Sequence, residues 1–174
     1  MTTSISSPKR PAQRKRETLL MGFGLNLSVL ERAYRTAANQ AVAHVGLSQS
    51  MAWPLIMIGR YGEGLRQGTL ASLLGIEGPS LARSLDQLED GGFIERREDA
   101  LDRRAKTMHL TPAGQIACEQ AEASLRKMRA GIFEGIADEE LAFVEQFLQT
   151  MQTRLGCAHP VLPPHHRIPG AQQT

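Results

Sequence analysis

The stretch from Gln67 to Leu110 most constrains what this chain can fold into: QGTLASLLGIEGPSLARSLDQLEDGGFIERREDALDRRAKTMHL. Thr69, Leu70, Leu73 and Leu74 predict a short helix with one apolar side. Gly75-Ile76-Glu77-Gly78 predicts a turn. Pro79 falls in the opening turn of a second helix, where the missing N–H is one that no helical carbonyl would have used. Leu81, Leu85 and Leu88 follow at spacings of four and three, so this helix carries one stripe for a core. Gly91-Gly92 ends it. Phe93 to Arg97 and Ala105 to Leu110 then alternate weakly around a charged tip. The pattern is a helix-turn-helix followed by a two-stranded wing.

The function of such a unit depends on what the second helix leaves outward. Ser80, Arg83, Ser84 and Gln87 are expected on the side opposite the leucines, with Pro79 at the helix entrance. Hydroxyls, an arginine and an amide near a helix N-terminus suit base edges and phosphates in a major groove. The wing carries Asp102-Arg103-Arg104-Ala105-Lys106 at its tip, and arginines there reach a phosphate backbone or a narrow minor groove. The expected DNA contacts are therefore Pro79, Ser80, Arg83, Ser84 and Gln87 on the helix, with Arg96, Arg103, Arg104 and Lys106 on the wing. A surface arginine by itself is usually a solvated charge; the constellation carries the reading. Asp102 is expected to brace the wing by pairing with its neighbouring arginines.

The residues GIEGPSLARSLDQLEDGGFIERREDALDRRAKTMHLT resemble the winged helix of the MarR family of bacterial transcriptional regulators, and within it the SlyA-type members. IEGPSLARSLDQLE on the second helix and DRRAK followed by LT at the wing are the most specific parts. A looser similarity extends from about Leu20 to Leu155. The resemblance implies a homodimer that binds palindromic DNA and releases it when a small, often aromatic, anion binds. It places the effector where the first long helix, the second helix and the winged helix meet. Arg35, His44, Trp53, Met57 and Arg60 are the candidates there, offering a ring to stack on and cations for a carboxylate. Trp53 and Met57 taken singly read more readily as core.

Charge supports the reading only through its placement. The whole chain has a formal net charge of +2. Met1 to Arg35 holds seven Lys/Arg against two Asp/Glu, whereas Arg66 to Lys106 holds seven basic and eight acidic residues. The proposed reader is thus not a basic domain, and Glu89, Asp90, Glu95, Glu98 and Asp99 must face away from the duplex or the reading fails.

The remaining chain frames the reader. Residues 1–18 are expected to be a disordered basic arm, either a source of phosphate contacts or a solubilising tail. Over 19–45, Leu20, Phe23, Leu27, Leu30, Tyr34, Ala37, Ala41 and Val45 predict a long helix whose seam needs a large partner surface, a second subunit being a natural one. Ser48 is the expected cap of a helix from Gln49 to about Tyr61, bent or opened by Pro54. Residues 46–110 form the DNA-binding region. Over 111–156, Thr111-Pro112 starts one long helix and Asp138 is expected to cap another, whose Leu141, Val144, Leu148, Met151 and Leu155 form a stripe. The expected fold is mainly α with a small β-wing, its long N- and C-terminal helices forming a dimerisation layer. Two-fold symmetry would set two reading helices roughly 34 Å apart on an inverted-repeat operator.

Other function classes fare worse. No glycine-rich phosphate loop, HExxH pair or nucleophile with a placed base is present, so no enzyme, cofactor or catalytic residue is expected. His44 and His109 stand alone. The Pro- and His-rich tail 157–174 contains Cys157, His159, His165 and His166, but their spacing fits no established zinc pattern and no metal site is expected. No run of about eighteen uncharged apolar residues indicates a membrane span, and no signal segment is evident, so a cytoplasmic protein is expected. Redox control would need a reactive cysteine, and Cys118 has no flanking Lys or Arg. A sequence-independent architectural DNA-binding protein, a cysteine-based redox-responsive regulator, ranked below ligand control, and a winged helix used for protein contacts are the alternatives left open.

Overall fold

The computed structural model describes residues 11–62, 64–99, 101–102 and 105–157. Helix α1 (Pro11–Val42) tightens into a 3-10 turn at Ala43–Val45, which Gly46 closes in a left-handed conformation. The helix therefore begins well inside the stretch expected to be disordered. Proline suits a first helical position, and Gln13, Arg14, Lys15, Arg16 and Glu17 are good helix formers whose charge had suggested an arm. Residues 1–10 and the tail 158–174 lie outside the described residues.

The chain divides into two units between Ala37 and Ala38. The first is the helical stretch of α1. It leaves Leu19, Leu20, Met21, Leu25, Leu27, Val29 and Leu30 exposed, and Arg35 pairs with Glu31 one turn back.

The second unit is built on α2 (Gln49–Tyr61), which buries Ala52, Pro54, Leu55, Ile56, Met57 and Ile58. Around it are β1 (Leu65–Arg66), α3 (Gln67–Leu74), α4 (Gly78–Asp90), β2 (Ile94–Glu98), β3 (Lys106–Leu110), α5 (Pro112–Ile132) and α6 (Asp138–Leu155). α2 packs against α3, α4, α5 and β3. That central position explains its almost continuous apolar sequence. Pro54 lies inside the helix without ending it. Ser48 does not cap it by its side chain, which meets Ser50 instead. The Asn39 side-chain oxygen accepts from the Gln49 N–H at 2.7 Å in its place.

The sheet is antiparallel with order β1-β3-β2. β2 and β3 pair from Ile94 opposite Leu110 to Glu98 opposite Lys106, which is the expected wing. β1 adds Leu65 opposite Met108 and Arg66 opposite Thr107. Two residues are too few to alternate visibly, so this strand exists through its pairing with β3 rather than through a local pattern.

At the start of α5, the Thr111 side chain accepts from the Gly114 N–H at 2.9 Å and donates to the Gly92 carbonyl at 2.7 Å. The Thr111 N–H also donates to the Phe93 carbonyl at 3.0 Å. One threonine thus caps α5 and ties it to the chain between α4 and β2. In α6 the expected cap is displaced: Asp138 is the first helical residue, and the Glu140 carboxylate accepts from the Ala137 N–H at 3.2 Å. α6 leaves Phe143, Val144, Phe147, Leu148 and Leu155 exposed. No single helix among the described residues is long and apolar enough to cross a membrane.

The α5 junction has no room to spare. A Cβ on Gly114 would lie 1.8 Å from the Phe93 carbonyl oxygen, a backbone atom. Gly114→Ala is expected to destabilise the protein by about 1–3 kcal/mol through overpacking, and Thr111→Ala by about 1 kcal/mol through the lost cap. Gly68→Ala, with open space around the added methyl, is expected to cost nothing. Chemical denaturation of the three variants checks the order.

Candidate nucleic-acid interface

The α3–turn–α4 unit presents one face of α4. Gly75 turns the chain after α3 in a left-handed conformation, φ 63°, its N–H reaching the Ala71 and Ser72 carbonyls. α4 then buries Leu81, Leu85 and Leu88 completely. Pro79, Ser80, Arg83 and Gln87 are exposed along the opposite side, as expected, together with Asp86 and Asp90. Ser84 is different: it is 6% exposed. It sits three residues after Leu81 and one before Leu85, which places it within the leucine stripe and not opposite it. Its hydroxyl is satisfied by donating to the Ser80 carbonyl at 3.3 Å. The outward face is therefore Ser80, Arg83 and Gln87, with Ser84 beneath it.

The wing is held by charge pairs. Asp99 closes its tip: one carboxylate oxygen accepts from the Leu101 and Asp102 N–H groups at 2.8 and 3.0 Å, and the other accepts from Arg66 Nε at 2.7 Å. The Arg66 hydrogen bond first, and the Leu101 N–H after it, hold the Asp99 carboxyl well below the usual carboxylate range. The same bond raises the Arg66 guanidinium. Asp99 thus braces the tip; the pairing expected of Asp102 involves Arg103 and Arg104, also two expected DNA contacts, which lie outside the described residues. On β2, Arg96 binds Glu89 at 2.7 Å and Asp86 at 2.6 Å, so this expected DNA contact is engaged within the protein. Arg97 pairs with Glu95. Lys106 meets Glu98 at 3.5 Å, both ends well exposed.

These pairs answer part of the charge problem. Glu89, Glu95, Glu98 and Asp99 each pair with a cation of the same unit, as does Asp86, which shares Arg96 with Glu89, whereas Asp90 stays exposed on the outward side of α4. Among the described basic residues from Arg66 to Lys106, Arg83 makes no internal ion pair. It is exposed at the middle of the outward face.

Residues 45–105 match the family model described as MarR family. The chain is 36% identical to a protein of known structure described as the transcriptional regulator PA3341, over 77% of this chain and 98% of that one, with a TM-score of 0.67. The chain belongs to the MarR family. Similarity extends to CouR from Rhodococcus jostii RHA1 bound to p-coumaroyl-CoA, at 25% identity over 82% of this chain and 95% of that one, TM-score 0.64. A mutant MarR from E. coli complexed with operator DNA shares the fold at 19% identity, over 76% of this chain and 94% of that one, TM-score 0.68. The winged helix of this MarR-family chain thus has the fold of a transcriptional regulator, with the polar side of α4 outward.

The expected effector residues are scattered. Met57 is 2% exposed and belongs to the core of α2, which corrects its place in a ligand pocket. Trp53 is half-buried. Arg60 is bound to Glu122 of α5 at 2.5 Å. His44 is exposed and lies 3.4 Å from the Ser124 hydroxyl. Arg35 belongs to the other unit, paired with Glu31. A groove of about 490 Å³ in the second unit is lined by Ala41, Ser124, Lys127, Met128, Gly131 and Ile132, none of them an expected ligand residue. Burial, and after it Glu122, pushes the Cys118 thiol up to about 12, the reverse of what a reactive thiolate needs.

The Asp99 brace carries a pH expectation. A carboxyl whose folded pKa is depressed contributes its stabilisation fully above its unfolded pKa and loses it only as pH falls toward the folded value. Wing-tip order should therefore be constant between about pH 5 and about pH 8. Asp99→Asn removes the charge-assisted bond from Arg66 and should speed amide exchange at Leu101 and Asp102 across that range. Hydrogen exchange by NMR, corrected for intrinsic rates, checks both.

Proposed function

We propose that the protein is a sequence-specific transcriptional repressor that binds inverted-repeat DNA as a homodimer and lets go when a small aromatic acid or related anion binds. The observation that carries the DNA reading is the outward face of α4. Ser80, Arg83 and Gln87 stand opposite three fully buried leucines, with Arg83 in no internal ion pair while the neighbouring Asp86 and Glu89 share Arg96. A bidentate arginine is the commonest reader of guanine in the major groove. The wing, with Lys106 and the arginines at positions 103 and 104, would supply phosphate contacts that set register.

Support for the dimer comes from exposed apolar residues. Leu19, Leu20 and Leu30 in the first unit, and Phe143, Phe147 and Leu155 in the second, are large side chains left in water in a single chain. Such side chains gain roughly 1.5–3 kcal/mol each when fully covered. A two-fold pair would set the two α4 helices about one turn of duplex apart. An anionic effector is supported by CouR, a relative bound to an aromatic thioester.

Selection of bound duplexes from a random pool should return an inverted repeat. Arg83→Ala should then lower discrimination by about 1–3 kcal/mol at one position per half-site. Recovery of no shared sequence, with affinity governed by salt alone, would favour the architectural reading. Titrating the complex with aromatic acids and their CoA thioesters should release DNA; a complex indifferent to all of them removes the effector part and leaves the DNA reading standing.

A further inference from the structure

We propose that Arg96 is a positioning residue that fixes the angle between the base-reading helix and the wing, and that it does so as an internal clamp instead of a DNA contact. This rests on the DNA reading above. The argument starts from how α4 and β2 are joined. Only Gly91, Gly92 and Phe93 separate them, with Gly92 in a left-handed conformation, φ 72°. The Phe93 N–H donates to the Leu88 carbonyl at 2.9 Å, so the near end of β2 is pinned to α4. β2 is paired to β3 from Ile94 to Glu98, so the freedom that remains is that of the two-stranded ribbon relative to α4.

Arg96 removes this freedom. It lies two residues into β2, opposite the fully buried Met108 of β3. Its guanidinium reaches back to two carboxylates on α4, Glu89 Oε2 at 2.7 Å and Asp86 Oδ1 at 2.6 Å. Its side chain is 23% exposed, against 53% for the adjacent Arg97. The planar fork of arginine binds two acceptors at once, which a point charge such as lysine does less well. The junction, the strand and the clamp together close a triangle between α4 and β2. Asp86 follows Arg83 by three residues and precedes Gln87 by one, so the anchor sits at the border of the reading face. The three groups leave a net charge of minus one, and the arginine spends its donors on protein.

The consequence is for specificity. Specific binding needs helix and wing engaged together in one register, whereas non-specific binding lets each engage separately. Loss of the clamp should therefore weaken the specific mode selectively.

The test measures affinity of the full chain for the selected duplex and for a random duplex, across a salt series. Arg96→Gln should lower the ratio of the two affinities roughly tenfold, the scale of a coupled pair, with the salt slope unchanged. Introduced into a chain already carrying Asp86→Asn and Glu89→Gln, the same substitution should change that ratio less than about twofold, because the clamp is already gone. A salt slope flattened by about one unit per protomer would identify Arg96 as a phosphate ligand and overturn the proposal. Equal losses on both duplexes would reveal a general folding defect and overturn it too, as would an undiminished effect in the carboxamide background. An unsubstituted chain that prefers no duplex would fail the DNA reading itself, and this proposal with it; that outcome is visible before any variant is made.

Discussion

The burial of one side of α4 against the core is the constraint on which the rest depends. Leu81, Leu85 and Leu88 are fully buried, and each is worth roughly 1.5–3 kcal/mol out of water. A helix held by such a stripe has no rotational freedom, since turning it by one residue would carry a leucine into solvent. The identity of the outward residues follows from this alone. Ser80, Arg83 and Gln87 face out because the leucines face in. Ser84 shows the same rule from the other side. A hydroxyl between two leucines is carried inward by helix geometry, and it is tolerated there because the Ser80 carbonyl takes its hydrogen bond.

The second constraint is electrostatic and works by cancellation. A region with more acids than bases is a poor duplex binder if its charges act independently. Here five of the acids have partners: Asp99 pairs with Arg66, Glu98 with Lys106, Glu95 with Arg97, and Asp86 and Glu89 share Arg96, while Asp90 stays exposed on α4. Exposed pairs of this kind add little stability. Their effect is to leave Arg83 as an exposed cation that makes no ion pair among the described residues. Formal charge counts cannot reveal this, because cancellation depends on which residues the fold brings together.

What the sequence disclosed divides along the same line. Signals confined to one turn of helix were legible. The helix Gln49 to Tyr61 has the expected bounds, although the Ser48 cap that marks its start in the sequence is not made, and Thr111-Pro112 announces α5 down to the side-chain cap on Gly114. Signals that depend on distant partners were not. β1 is two residues paired to β3. Arg96 reads as one more basic wing residue until register and helix angle set it beside Asp86 and Glu89. Asn39 does the work expected of Ser48 at a separation of ten residues. The start of α1 was missed for another reason: a run of charges near a terminus suggests disorder, yet Arg, Lys, Gln and Glu are all strong helix formers. Ser84 reads as outward by its polarity, yet its spacing from Leu81 places it on the buried side.

The position of α2 gives the reader its mechanical character. It packs against α3, α4, α5 and β3 at once. Its approach to α5 is close enough that a Cβ on Gly59 would lie 2.8 Å from the Cys118 sulfur. One turn along, Arg60 and Glu122 join the same two helices through a pair that is 23% and 9% exposed. A charge pair so far removed from water is costly to break on one side only. The contact between α2 and α5 therefore resists sliding, both by steric fit and by charge. Displacement of α5 would be transmitted to α2, and from α2 to α4, as movement of a packed body and not as local loosening.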